Sequence, residues 1–221
     1  MPDRRLPRTF PARRPLPVLV ATVLLSLTGG CGRNAGSAAA APPQMSAPYP
    51  LGLTDHARSV AGAARQYRVH VPAILNGTPR AVVFVLHGGG GAGMDVANAG
   101  AHPLSVFRTV ADRERIVVVY PGGLPATDGQ VAWVDCRRDN RIAGTADDVE
   151  FLAALIQRVR TSDGLLGTSV FMAGGSNEAM MAHAFAMARP GLVAADAPTE
   201  IQSRDIEFAA VAWAFFAGRW R

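Results

Sequence analysis

The sequence contains no lysine: all 22 basic residues in its 221 positions are arginine. Cysteine is nearly absent, with Cys31 and Cys136 alone, so a small loop-rich fold stapled by several disulfides is excluded. Charged residues make up only 18% and hydrophobic residues 49%, which excludes a charge-swollen disordered chain and suits one domain around a single apolar interior. No apolar run reaches the roughly 20 residues that a membrane-spanning helix needs. The net charge of +5 is badly placed for a phosphate backbone. Five arginines (Arg4, Arg5, Arg8, Arg13 and Arg14) and one acid precede Cys31, which leaves 17 Arg against 16 acidic residues from there onward. That near-neutral body lacks the electrostatic footprint of a nucleic-acid binder.

What is present begins with an address. The basic residues 1–14 precede an apolar stretch of 14 residues, Pro15–Thr28, then Gly29, Gly30 and Cys31. A charged start, a short apolar centre and a small-residue exit have the form of a secretory signal peptide. The cysteine after the small pair resembles a bacterial lipobox, with Leu27 four rather than three residues before it. The expected organisation is a signal peptide over 1–30, a lipid-tether linker over 31–60 with Cys31 as the acylated residue, and a folded domain over 61–221. A plain signal peptide with Cys31 incidental is the alternative. The segment 32–50, rich in Ala, Gly, Pro and Ser, has too few large hydrophobes to offset its ordering entropy. These features place the domain outside the cytoplasm, at an extracellular or periplasmic face. An acylated Cys31 leaves Cys136 without a disulfide partner.

In the domain, Gln66–Val71 alternates polar and apolar residues as a half-buried strand does. Ala81–Leu86, Arg115–Tyr120 and Ser169–Ala173 are continuous apolar runs, the pattern of strands covered on both faces. Helices are expected over 106–113, from about Asp148 to Val159, over 180–189 and over 206–216. Leu192–Ala195 reads as a further short strand. Thr145 with Asp148 has the form of a capping box. Strands alternating with helices give a single-domain α/β fold with a mostly parallel sheet.

Chemistry collects at the carboxyl ends of parallel strands, and two such ends are loaded here. The run Ser169–Ala173 breaks at Gly174-Gly175-Ser176-Asn177-Glu178, which sets a serine on a sharp strand-to-helix turn. Ala81–Leu86 runs into His87 and the four glycines Gly88 to Gly91, where backbone N–H groups can approach a carbonyl oxygen closely. A nucleophile and two halves of an oxyanion hole result. A phosphate loop is disfavoured by the missing lysine and the missing G-x-G-x-x-G.

The motifs Tyr67-x-x-x-x-Pro72, Val85-Leu86-His87-Gly88-Gly89, Val119-Tyr120-Pro121-Gly122-Gly123, Trp133, Asp147-Asp148-Val149-Glu150-Phe151-Leu152 and Gly174-Gly175-Ser176-Asn177 occur in order. Together they resemble the secreted polyhydroxybutyrate depolymerase and feruloyl esterase family over about residues 65–198. That resemblance implies an α/β-hydrolase-like fold and hydrolysis of small-molecule or polymeric carboxylic esters without metal or organic cofactor. It further implies Ser176 as nucleophile and an oxyanion hole from Asn177 with Gly88 or Gly89.

Two departures stand against it. The last glycine of G-x-S-x-G is Glu178, and only His183 of the five histidines follows Ser176, too far down the expected helix to reach it. His87 reads as a brace for the oxyanion loop and also as the nearest remaining base; no acid among Asp196, Glu200, Asp205 and Glu207 is singled out. The chain looks shortened, lacking the last strands of the fold. A surface lipoprotein that keeps the fold without a complete triad, and a shortened chain that never folds stably, are the competing readings. Asp147 and Asp148 read as helix capping rather than a carboxylate pair. Asp128, Asp135 and Asp139 read as a solvated loop rather than a calcium site. Trp133 either lines a cleft or packs.

Overall fold

The computed structural model describes residues 48–73, 79–88, 93–98, 100, 103–134, 147–162, 165–175, 177–199 and 208–218. Cys31, Cys136, Gly89 and Ser176 therefore lie outside the described residues, as do His102, Thr145, Asp135, Asp139, Glu200, Asp205 and Glu207. In chain order the strands are β1 (Gly52–Val60), β2 (Ala63–Val71), β3 (Val82–Val85), β4 (Val117–Pro121), β5 (Leu124–Pro125), β6 (Val131–Ala132), β7 (Val170–Gly175) and β8 (Ala195–Thr199). The helices are α1 (Val106–Glu114), α2 (Asp148–Arg160), α3 (Asn177–Ala188) and α4 (Phe208–Ala217).

Six strands form one sheet in the order β1-β2-β4-β3-β7-β8, and β5 with β6 makes a separate ribbon. The first two pairings, β1 with β2 and β2 with β4, are antiparallel. The remaining pairings, β4–β3, β3–β7 and β7–β8, are parallel. Successive side chains of a strand point to opposite faces, and the central strands divide accordingly. Val82, Phe84 and Leu86 join Val119 and Met172 on the face covered by α2 and α3. Ala81, Val83 and Val85 join Val118 and Phe171 on the face covered by α1 and α4. Each fully buried large side chain contributes about 1.5–3 kcal/mol of burial free energy. This two-faced burial is why these strands are apolar throughout. The result is a mostly parallel, α/β-hydrolase-like sheet with helices on both faces, as the sequence implies; among the described residues no strand follows β8.

Two differences from the sequence reading concern the edges. Residues 52–60 fall in the segment read as linker, yet they form β1, paired with β2 from Gly52↔Val71 to Val60↔Ala63. The turn between them has positive φ at Ala61 (49°) and Gly62 (81°), the backbone that closes a two-residue hairpin with the right twist. As an edge strand with one partner and mostly half-buried or exposed residues, β1 needs no apolar run and leaves none in the sequence. Tyr49 caps this edge from the side: it is buried, its hydroxyl lies 3.2 Å from that of Tyr67, and the His56 ring stacks on Tyr67 at 5.3 Å. At the other edge, the short strand begins at Ala195 rather than Leu192. Asp196 pairs with Met172, near the start of β8 and away from its carboxyl end.

Candidate active site

The two motif-bearing strand ends are neighbours. Strands β3 and β7 are hydrogen-bonded in parallel, with Val85 opposite Ala173, and the Leu86 N–H continues the ladder to the Ala173 carbonyl at 2.9 Å. Beyond that pair β3 leads into His87 and Gly88, and β7 runs on to Gly175. Strand β7 ends at Gly175 and α3 begins at Asn177, so Ser176 is the one residue between strand and helix. The helix starts three residues earlier than the sequence pattern suggests. Asn177 is therefore its first residue, where helix N–H groups have no intrahelical acceptor and favour negative charge.

At the end of β3 the chain is held by His87, which is fully buried. The Gly123 N–H donates to its Nε2 at 2.8 Å. Nε2 must then be unprotonated, so Nδ1 carries the proton and donates to the Gly88 carbonyl at 2.9 Å. The Trp133 indole N–H donates to the His87 carbonyl at 2.9 Å, and its ring lies 4.9 Å from the imidazole. Trp133 is buried and packs rather than lining an open cleft. With both ring nitrogens engaged, His87 acts as a brace in this arrangement, not as a base.

Gly123 has no alternative at its position. A Cβ there would collide with the Ala132 carbonyl oxygen and meet His87 Nε2 at 3.0 Å. Its neighbour Gly122 donates to the Gln66 carbonyl at 2.8 Å and accepts from Arg65 Nη2 at 3.1 Å.

Arg65 leads to the feature that the sequence does not disclose. It is 2% exposed and lies 2.5 Å from Asp148 Oδ1, whose side chain is fully buried. The guanidinium carbon sits 4.1 Å from the Phe151 ring centroid. The other carboxylate oxygen, Oδ2, accepts the Val134 N–H at 2.6 Å. Burial pushes the Asp148 carboxyl up from its ordinary value, against the opposing pull of the Arg65 cation and the Val134 N–H. Among the described residues, Arg65 Nε has no hydrogen-bond partner. The adjacent aspartates thus do different work. Asp147 caps α2 by accepting the Glu150 N–H at 2.8 Å, whereas Asp148 is an interior counter-ion.

The other described histidines are engaged elsewhere. His56 lies 2.7 Å from the Thr54 hydroxyl, His70 pairs with Asp112 at 2.8 Å, and His183 is exposed on α3. At 1.5 Å rise per residue, His183 stands about 9 Å along the axis from the start of that helix. No group of three or more His, Cys, Asp and Glu among the described residues could hold a metal, and none of their helices is long and apolar enough to cross a membrane.

No protein-family model and no curated protein matches the chain. By shape it is similar to a cold-adapted esterase from an Arctic intertidal metagenomic library, at TM-score 0.49 and 15% identity over 68% of this chain and 62% of that one. A thermostable carboxyl esterase from Bacillus coagulans gives TM-score 0.49 and 14% identity, covering 67% of this chain and 44% of the other. A further thermostable esterase gives 0.47 and 20%, covering 65% and 40%. The chain thus spans between 40% and 62% of the length of these three proteins. What establishes the α/β-hydrolase-like fold is the strand order β1-β2-β4-β3-β7-β8 with its parallel core and helices on both faces.

Proposed function

We propose that the chain is a secreted serine esterase of the polyhydroxybutyrate depolymerase or feruloyl esterase kind. In this reading it is exported by residues 1–30 and held at an extracellular or periplasmic membrane face through acylated Cys31. Ser176 Oγ attacks the carbonyl carbon of a small-molecule or polymeric ester. The carbonyl oxygen becomes an oxyanion held by N–H groups of Gly88 or Gly89 and of Asn177. The alcohol leaves, and water then releases the acid from the acyl-serine. No cofactor is needed for this chemistry, and nucleic acid has no part in it.

The observation that carries the reading is the parallel pairing of β3 with β7, Val85 opposite Ala173, so that the strand leading into the glycines is the neighbour of the strand that precedes Ser176 in sequence. In α/β hydrolases the oxyanion donors come from these two places, the residue after the nucleophile and the loop after the third strand.

The engaged ring nitrogens of His87 and the glutamate at position 178 favour a second reading, a lipoprotein that keeps the fold but does not turn over substrate. Labelling of the purified, folded protein with a fluorophosphonate probe separates the two. Labelling that disappears in Ser176→Ala supports the esterase, because only an activated serine reacts. A folded protein that stays unlabelled overturns it in favour of the non-catalytic reading.

A further inference from the structure

We propose that the buried Arg65–Asp148 pair is a positioning device that fixes the direction of the Gly88 peptide, and hence the oxyanion half of the site at the end of β3. This inference rests on the esterase reading.

Burying two charges is costly, and an apolar pair of similar volume often stabilises a fold as well or better. Stability alone does not account for Arg65 and Asp148. Beyond the Phe151 ring under the guanidinium, their hydrogen bonds among the described residues point in one direction. From Arg65, Nη2 holds the Gly122 carbonyl at 3.1 Å, and the next residue, Gly123, gives its N–H to His87 Nε2 at 2.8 Å. From Asp148, Oδ2 holds the Val134 N–H at 2.6 Å, and the preceding residue, Trp133, gives its indole N–H to the His87 carbonyl at 2.9 Å. The two branches leave opposite ends of one ion pair and meet on one residue, at its ring and at its backbone.

His87 passes the constraint on through Nδ1–H, which holds the Gly88 carbonyl oxygen at 2.9 Å. In a planar trans peptide the N–H points opposite to the C=O. The His87 carbonyl is likewise drawn toward the Trp133 indole, so the Gly88 N–H of that same peptide is directed away from it. If this peptide rotated, a carbonyl oxygen would replace an N–H in front of the developing negative charge and repel it. Gly88 and the glycines after it have no side chain to resist that rotation; the imidazole does, and the ion pair holds the imidazole from two sides. Neither Arg65 nor Asp148 touches the substrate in this scheme. Both act through His87.

The deciding variant is Arg65→Met with Asp148→Leu, which removes both charges and refills their volume. Wild-type hydrolysis of p-nitrophenyl butyrate that depends on Ser176 is the reference. An oxyanion contact is made only in the transition state. The expected result is therefore a kcat reduced by about 10–100-fold with KM within about twofold, cooperative unfolding retained, and hydrogen-exchange protection of the Gly123 amide lost. A folded double variant with wild-type kcat and a protected Gly123 amide would overturn the proposal. If the double variant does not fold, Arg65→Lys decides: it keeps the charge beside Asp148 but withdraws the donor from Gly122, so the same split between kcat and KM is expected, and an unchanged kcat refutes the inference. A wild type with no turnover removes the esterase reading, and the Gly123 amide alone then tests the linkage. Unchanged protection in the folded variant would sink it.

Discussion

β7 ends at Gly175 and α3 begins at Asn177, so two regular elements flank Ser176 in sequence. At the end of β3 nothing regular follows at once. The direction of the backbone is set instead by Gly123, Trp133, Arg65 and Asp148, which come from four other parts of the chain. One half of the candidate site is locally encoded and the other is assembled by distant contacts. The local half can be lost only by altering its own few residues, whereas the assembled half can be damaged from positions that never approach a substrate.

The comparison is broken most severely at the local half. On the esterase reading, Ser176→Ala reduces turnover by at least about 10³-fold and leaves the thermal midpoint close to wild type; steady-state kinetics with a melting curve checks both. At the assembled half the effect falls on stability first. Asp148→Ala leaves the Arg65 cation buried without a counter-ion and is expected to cost about 3–5 kcal/mol in a denaturant titration. Asp147→Ala, one residue earlier, removes only a helix cap, and about 1 kcal/mol is expected from the same titration; equal losses would contradict the division of labour between the two aspartates. Trp133→Phe keeps a ring beside His87 but leaves the buried His87 carbonyl without its donor, a loss of about 1–3 kcal/mol. Its kcat should fall while KM holds.

The smallest effect lies at the β1 edge and serves as a control outside both halves. Burial, with the nearby Arg158 cation second, lowers the His56 pKa from its ordinary value. The unfolded chain therefore takes up the proton first, near pH ~6.5, and the folded state follows only at lower pH. The contribution of His56 is complete above that pH and declines as pH falls below it. Melting curves between pH 7.5 and 5 should show a decline that His56→Gln flattens, with no change in the pH dependence of kcat.

The same contrast explains what the sequence discloses. Val82–Val85, Val117–Pro121 and Val170–Gly175 are legible because strands buried on both faces must be apolar throughout, and α2 is legible from Val149, Leu152, Ile156 and Val159 at helical spacing. The end of β7 and the start of α3 are legible because an apolar run, glycines and a helix pattern are contiguous. Strand β1 is not: an edge strand with a wet face needs no apolar run. Nor is the role of Asp148 legible, because Asp148 opens α2 while its partner Arg65 lies on β2, and sequence spacing says nothing of their meeting. Beside Asp147 it reads as a second capping acid. The engagement of both nitrogens of His87 is equally a product of tertiary packing, although its place directly after a buried strand marks the residue itself.

The cramped position of Gly123 limits how this chain can drift over generations. A side chain there strikes the Ala132 carbonyl, and the amide of the same residue is spoken for by the imidazole of His87. Neither residue can therefore be exchanged alone without spoiling the other's setting. They are expected to persist or vanish as a pair, even where the rest of the surrounding sequence has been rewritten.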